Sequence, residues 1–356
     1  MDLLNKKLFI PFLFLLCILC SCDAGQEKYS LLFTSDIAYG KDKSYYVTYT
    51  EEGKVKNKTE IEGSLHYNII RDEENKIIFN NGKTLITIDN SDITSKNLGD
   101  KPLGYFEQNS YFFYKNRPIF VYNVGFTEEN KYESMIQLEE NNNIYFKGFV
   151  ESFWTESKYF YALVSSYDDN IENMYIVKID LDSGKIENEE KINLKKESNI
   201  VISKLRIGII NNNAFVLKEV LNSEASEITD RKIITISLND FNVKEHDIKG
   251  ISTKEKIYYD SFFKFQDSIY FIADNKIYYF LNENMCSVKQ TSIELPEEFG
   301  EASIVKENNN KIYLLEPGDE LYITEIDLNK EKFSKPVKLE RPNYLKNMSV
   351  YSYIVE

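Results

Sequence analysis

Cysteine is almost absent from this chain once its first 22 residues are passed. Three of the four, Cys17, Cys20 and Cys22, fall in that opening segment. Cys286 is the one cysteine outside it, so no disulfide can form within residues 23–356 and the core must hold that part of the chain. Histidine is scarcer still. His66 and His246 are the only two, each in a charged or polar setting with no Cys or His at metal-ligand spacing. A three-histidine zinc site is excluded, and a Ser-His-Asp arrangement would have to use one of these two. Seven prolines and 14 glycines leave no Pro/Gly/Ser linker and no glycine loop of the phosphate-cradling kind. Basic residues are in deficit, 43 against 57 acidic, for a net charge of −14. That balance argues against nucleic acid, whose backbone is bound by basic groups, and against electrostatic docking on anionic lipid.

Long apolar runs are also missing. The one candidate, Leu8 to Leu19, is shorter than the ~20 residues a membrane-spanning helix needs. Lys6 and Lys7 precede it, which is the layout of a secretory signal. The run ends in Leu19-Cys20-Ser21-Cys22, a tetrapeptide that resembles the lipobox of bacterial lipoproteins. The resemblance implies cleavage before Cys22 and lipidation of its thiol. Ser21 is the small residue that precedes the modified cysteine in that pattern, whereas Cys20 and Cys17 each come after a leucine. The other reading is an ordinary secretory signal with Cys22 left as a thiol. The lipoprotein reading divides the chain into a signal over 1–21, a lipidated tether over 22–28 and a folded body over 29–356. It places the body on the extracytoplasmic side of a bacterial membrane, either the outer membrane or the periplasmic face of the inner one. Two or more acyl chains suffice for stable attachment. Asp23 resembles an inner-membrane retention signal of enteric bacteria.

Aromatic residues are abundant, with 26 Tyr and 23 Phe. A phrase recurs in which a polar turn leads into a short aromatic or aliphatic strand, then a second turn and another strand ending near an aspartate. Starting from Tyr45, its copies begin at 77, 111, 159, 214, 269 and 312. Asn211-Asn212-Asn213, Gln266-Asp267-Ser268 and Asn308-Asn309-Asn310 supply turns before strands, and Asn81-Gly82 and Asp182-Ser183-Gly184 supply others. Repeats of ~40–50 residues with about four strands each predict a β-propeller. Seven copies predict an all-β fold of about seven four-stranded blades. The C-terminal run Met348–Val355 alternates and is expected to share a blade with a strand around Leu31–Ile37, closing the ring. A pair of β-sandwiches or an outer-membrane barrel would be the rival folds. The barrel needs ~10-residue strands with an apolar outer face.

Residues 174–186, MYIVKIDLDSGKI, resemble the blade hairpin of quinoprotein-like (PQQ-type) propellers. The chain departs from that family in its tryptophans, since Trp154 is the only one. A lipidated propeller of this size is also similar to the accessory lipoprotein of the outer-membrane barrel-assembly machine, and that resemblance implies a scaffold.

No catalytic residue, cofactor or metal ligand is assigned. Asp180-Leu181-Asp182-Ser183-Gly184 has its glycine at the fifth place of a would-be calcium loop, where the EF-hand needs it at the sixth, and reads as a hairpin turn. Trp154 and the ten aromatics between Ile257 and Leu281 read as packing between blades. The expected function is a scaffold that binds an envelope protein, monomeric apart from that partner and held to the membrane through Cys22. A glycosidase or lyase with its site at the propeller axis, or a surface adhesin, is the alternative. Recognition is expected on two polar stretches taken as loops. These are 165–173, with Tyr167, Asp168, Asp169 and Asn170, and 221–230, with Glu224 and Glu227.

Overall fold

Adjacent asparagines with positive φ turn a strand back on itself in two residues. Asn211 (φ 48°) and Asn212 (φ 59°) do so between strands Ile202–Ile210 and Asn213–Leu221. Lys115 and Asn116 do the same between Tyr111–Tyr114 and Arg117–Phe126. The computed structural model is built almost wholly of such hairpins. It describes residues 26–356 apart from 36–42, 64–68, 73, 81–83, 90–91, 98–110, 127–130, 140–141, 169–170, 193–201, 223–226, 259–260, 267, 282–284, 297–298, 300–302 and 309–310.

Seven antiparallel sheets form seven blades. The first takes its inner strand from the C-terminus, Met348–Val355, and continues outward through Glu27–Ser35, Lys43–Thr50 and Val55–Glu62. The second runs Ile70–Arg71, Ile77–Asn80, Thr84–Asp89 and Asp92–Asn97. The third runs Tyr111–Tyr114, Arg117–Phe126, Tyr132–Glu139 and Asn142–Lys147. In the fourth the order is Phe149–Glu156, Tyr159–Asp168, Ile171–Asp180 and Lys185–Ile192. The fifth has Ile202–Ile210, Asn213–Leu221, Ile228–Ser237 and Val243–Asp247. The sixth has Phe263–Phe265, Ser268–Ala273, Lys276–Phe280 and Val288–Glu294. In the seventh, Ile304–Asn308, Lys311–Glu316 and Leu321–Asp327 lead to an outer strand split into Lys332–Phe333 and Val337–Leu339. Pro336, which has no N–H to give the ladder, sits in the split.

The predicted seven-bladed propeller is therefore the fold. Its core is a ring of apolar clusters, one between each pair of neighbouring blades among the described residues. Trp154, 4 % exposed, packs between the fourth and fifth blades, as expected. Phe271, Tyr278 and Phe280 fill the space between the fifth and sixth, and Phe263 and Phe265 that between the sixth and seventh. The closing strand pairs from Tyr29↔Val355 to Ser35↔Met348, so the N- and C-terminal segments share one blade. Glu27 and Lys28, assigned to the tether from sequence, already belong to that blade.

The phase of the repeat differs from the expectation. The recurring phrase slips between blades: Tyr45 lies on a third strand, Tyr111 on a first, and the other five copies on second strands. Second strands begin at 27, 77, 117, 159, 213, 268 and 311, and in that phase no two are less than 40 residues apart. The slip has a simple cause. Every strand in a blade is short, aromatic and turn-bounded, so composition does not distinguish inner from outer positions.

The turn after Ile171–Asp180 shows how sequence builds a blade corner. The Asp180 carboxylate accepts hydrogen bonds from the N–H groups of Asp182 (2.9 Å) and Ser183 (2.9 Å) and pairs with Lys158. Gly184 then takes φ +67°, as expected, and its N–H reaches the Asp180 carbonyl at 2.8 Å. Phe241 (φ 54°) and Glu331 (φ 48°) occupy the same corner in blades five and seven. Lys158 and the two N–H donors hold the Asp180 carboxyl at about 2, below its ordinary 3.8. Its stabilisation is complete above pH ~4 and is lost as the pH falls through about 2. Acid titration of thermal stability should therefore show a loss between pH 4 and 2 that Asp180→Asn reduces. Identical acid profiles for the two proteins would show that the corner carries none of the acid sensitivity.

Candidate functional site

Antiparallel order sorts the connections between strands onto two edges of every blade. First-to-second and third-to-fourth turns lie on one edge, where several are only two residues long. Second-to-third hairpins and blade-to-blade crossovers lie on the other, where the crossover from blade five to six covers 248–262. Length varies on the second edge, and variable loops on a rigid scaffold are where binding residues are most often carried.

The 248–262 crossover is held by a buried charge network. Arg231, 3 % exposed, starts from the third strand of blade five. Its Nε donates to Glu219 Oε1 at 2.7 Å, and its two Nη groups donate to the carbonyls of Ser252 and Glu255. Glu255 in turn accepts from the Ser252 N–H (2.9 Å), the Tyr278 hydroxyl and Lys276 (3.5 Å). Burial raises the Glu255 carboxyl, but these hydrogen bonds outweigh it and hold it below the ordinary carboxylate range. Burial and the bond to Glu255 push the Tyr278 hydroxyl up. The crossover into blade one is held similarly. Arg341 donates to the carbonyls of Gly318 (2.7 Å), Asp319 (3.1 Å), Leu345 (3.3 Å) and Met348. Both guanidinium groups are spent on backbone carbonyls and a carboxylate, so they order loops and are not poised for chemistry. Sequence reasoning missed both. The available signal was rarity, since only five arginines stand among 43 basic residues.

The crossover from blade three to four is a single residue, Gly148, at φ +98°. A Cβ there would lie 2.6 Å from the Ser165 carbonyl oxygen, so only glycine fits. The Gly148 N–H bonds the Tyr132 carbonyl at 2.7 Å, and its own carbonyl accepts from the buried Ser134 hydroxyl at 2.7 Å. The same hydroxyl, with one proton shared between the two acceptors, lies 2.6 Å from Asn123 Oδ1, which receives the Val150 N–H at 3.1 Å. Beside this polar knot stands an aromatic ridge. Phe126 and Tyr132 meet edge to face with ring centres 5.1 Å apart, and Tyr132 meets Phe149 at 5.5 Å. Phe126 is 76 % exposed, more than any other large apolar side chain among the described residues.

The residues proposed from sequence lie partly on this edge. Ser165–Asp168 and Ile171–Asn173 are paired strand, from Ser165↔Met174 to Asp168↔Ile171, so the first supposed loop is the tip of a long hairpin. Tyr167 and Asp168 are in that strand, while Asp169 and Asn170 lie outside the described residues. In the second stretch Leu221 and Ile228–Asp230 are also strand. Glu227 is exposed at the end of that hairpin, and Glu224 lies outside the described residues, as do Cys22 and His66. The longest variable segments are instead the crossovers. Long spacings in the sequence reflected nine- and ten-residue strands as much as loops. His246 is on the outer strand of blade five. Among the described residues, no group of three or more His, Cys, Asp and Glu side chains is placed to hold a metal ion.

The sequence profile described as YycP, beta-propeller domain, matches residues 26–356, nearly the whole chain. The chain belongs to the YycP beta-propeller family. No curated relative matches it. Among solved structures, cobalt-substituted ACO of Synechocystis is similar over 94 % of this chain and 93 % of its own, with TM-score 0.52 and 9 % identity. An ACO/RPE65 chimera is similar over the same shares, with TM-score 0.51 and 9 % identity. At that identity the likeness shows the fold alone. For this YycP-family propeller the fold supports a scaffold or binding role in general, and the chemistry must be argued from its own residues.

Proposed function

We propose that this protein is a lipid-anchored, extracytoplasmic propeller that binds a protein partner at the cell envelope through the ridge of Phe126, Tyr132 and Phe149. The observation that carries the reading is the exposure of Phe126 on a rigid support. A phenylalanine held in water over most of its surface gains from burial by a partner, roughly 2 kcal/mol for full removal. Gly148, Ser134 and Asn123 fix the backbone beneath the ridge, so little ordering cost opposes docking. The charged clusters on the same edge are occupied in holding loops. The lipobox resemblance at Cys22 supports the anchor.

Crosslinked pull-down from native membranes tests the reading. The wild-type protein should capture a specific partner. Phe126→Ala should weaken capture about tenfold or more, an energy of about 1.4 kcal/mol, while leaving the melting temperature unchanged. Cys22→Ala should release the protein into the soluble fraction. Finding no partner, together with turnover of a small molecule by the purified soluble domain, would replace the scaffold with an enzyme.

A further inference from the structure

The chain enters the propeller at Gln26, just before Glu27 opens the second strand of blade one. That end of the strand lies on the short-turn edge, next to the inner strand. There the Glu356 N–H bonds the Lys28 carbonyl at 3.0 Å, and Arg71 and the Ser30 hydroxyl (2.9 Å) both bind the Glu356 carboxylate. Cys22 is five residues before Glu27, and an extended chain reaches at most ~3.5 Å per residue, roughly 17 Å in all. The propeller is thicker than that. A ten-residue strand such as Tyr159–Asp168 spans roughly 33 Å from one edge to the other.

We infer that the short-turn edge of the propeller faces the bilayer and that the ridge bearing Phe126 points away from it. The inference rests on the lipid anchor at Cys22 proposed above. A body tied near its axis by so short a tether cannot turn its far edge to the same membrane. Lying on its side is no easier. Two strand spacings of ~4.8 Å separate the second strand, where the tether joins, from the outer strand, and side chains extend beyond that, so a tether of roughly 17 Å is already near its limit. The near edge suits this position. Its turns are short and tied by ion pairs such as Lys115–Asp182 and Lys330–Asp327, a hydrated surface that neither inserts into lipid nor needs to. The consequence is a class of partner. A protein that engages the ridge must be soluble, or must rise roughly 30 Å or more from the bilayer. A flat transmembrane protein beside the anchor cannot reach it.

Energy transfer in vesicles tests this. The lipidated protein, carrying Cys286→Ser and one new surface cysteine bearing a donor dye, is placed in bilayers with a headgroup-labelled acceptor lipid. Asn239→Cys and Asn329→Cys report the short-turn edge, and Glu227→Cys and Asp319→Cys the opposite one. Transfer from 239 and 329 should exceed that from 227 and 319 by about twofold or more, given the separation of the edges. Equal transfer from all four, or the reverse order, overturns the orientation while leaving the anchor intact. Cys22→Ala should abolish transfer from every position. Transfer that persists in Cys22→Ala overturns the anchor, and with it the premise of the orientation.

Discussion

A protein lacking residues 347–356 should show no cooperative thermal transition. Met348–Val355 is the innermost strand of blade one and the only strand there that comes from the far end of the chain. Its loss strips the ladder from Tyr29 to Ser35 and leaves an open edge at the axis. Met348, Val350, Tyr353 and Val355 are all buried in the cluster shared by blades seven and one. The Tyr353 hydroxyl also shares its one proton between the carbonyls of Tyr313 (2.8 Å) and Ile304 (3.3 Å), tying the strand to the neighbouring blade. Four buried side chains at about 2 kcal/mol each amount to about 8 kcal/mol. That is as large as the whole stability of many domains. Scanning calorimetry and near-ultraviolet circular dichroism read the result. A truncated protein that melts at the wild-type temperature would refute closure by the C-terminal strand.

Arg231→Met should cost about 3–5 kcal/mol, because it leaves the Glu219 carboxylate buried without its partner. The Ser252 and Glu255 carbonyls lose their donors in the same step. The crossover 248–262 should loosen before the rest of the ring, with faster amide exchange and earlier proteolysis there. The double variant Arg231→Met/Glu219→Met should recover part of the loss, since two apolar side chains of similar size remove the stranded charge. If the single variant kept the wild-type melting temperature and exchange pattern, the network would be incidental to the loop. The double variant separates a charge effect from simple loss of packing, because its packing change is the larger.

Strand identity, turn chemistry and ring closure were legible in the amino-acid sequence because each is a local property. Short β-branched and aromatic runs have few alternatives to a strand. Asn211-Asn212 and Asp182-Ser183-Gly184 encode their own dihedrals, and the structure has positive φ at both asparagines and at Gly184. Met348–Val355 begins with alternation because Met348 and Val350 pack into the cluster shared with blade seven while Ser349 between them is exposed. Seven copies of one phrase sufficed to count the blades, although not to phase them.

What only the tertiary structure decided concerns neighbours far apart in the chain. Phe126 and Phe149 carry the same side chain, and both precede or follow a turn, yet one stands 76 % exposed and the other packs against the core. Nothing within a few residues of either distinguishes them; the adjoining blade does. Arg231 orders Ser252 and Glu255 across 21 and 24 residues, a contact that exists only once the crossover leaving blade five folds back on that blade's third strand. Tyr167 and Asp168 read as a loop because polar residues surround them, whereas the ladder to Ile171 and Glu172 makes them strand. Hydrogen bonds across a hairpin satisfy the backbone whatever the side chains are, so polarity alone does not end a strand.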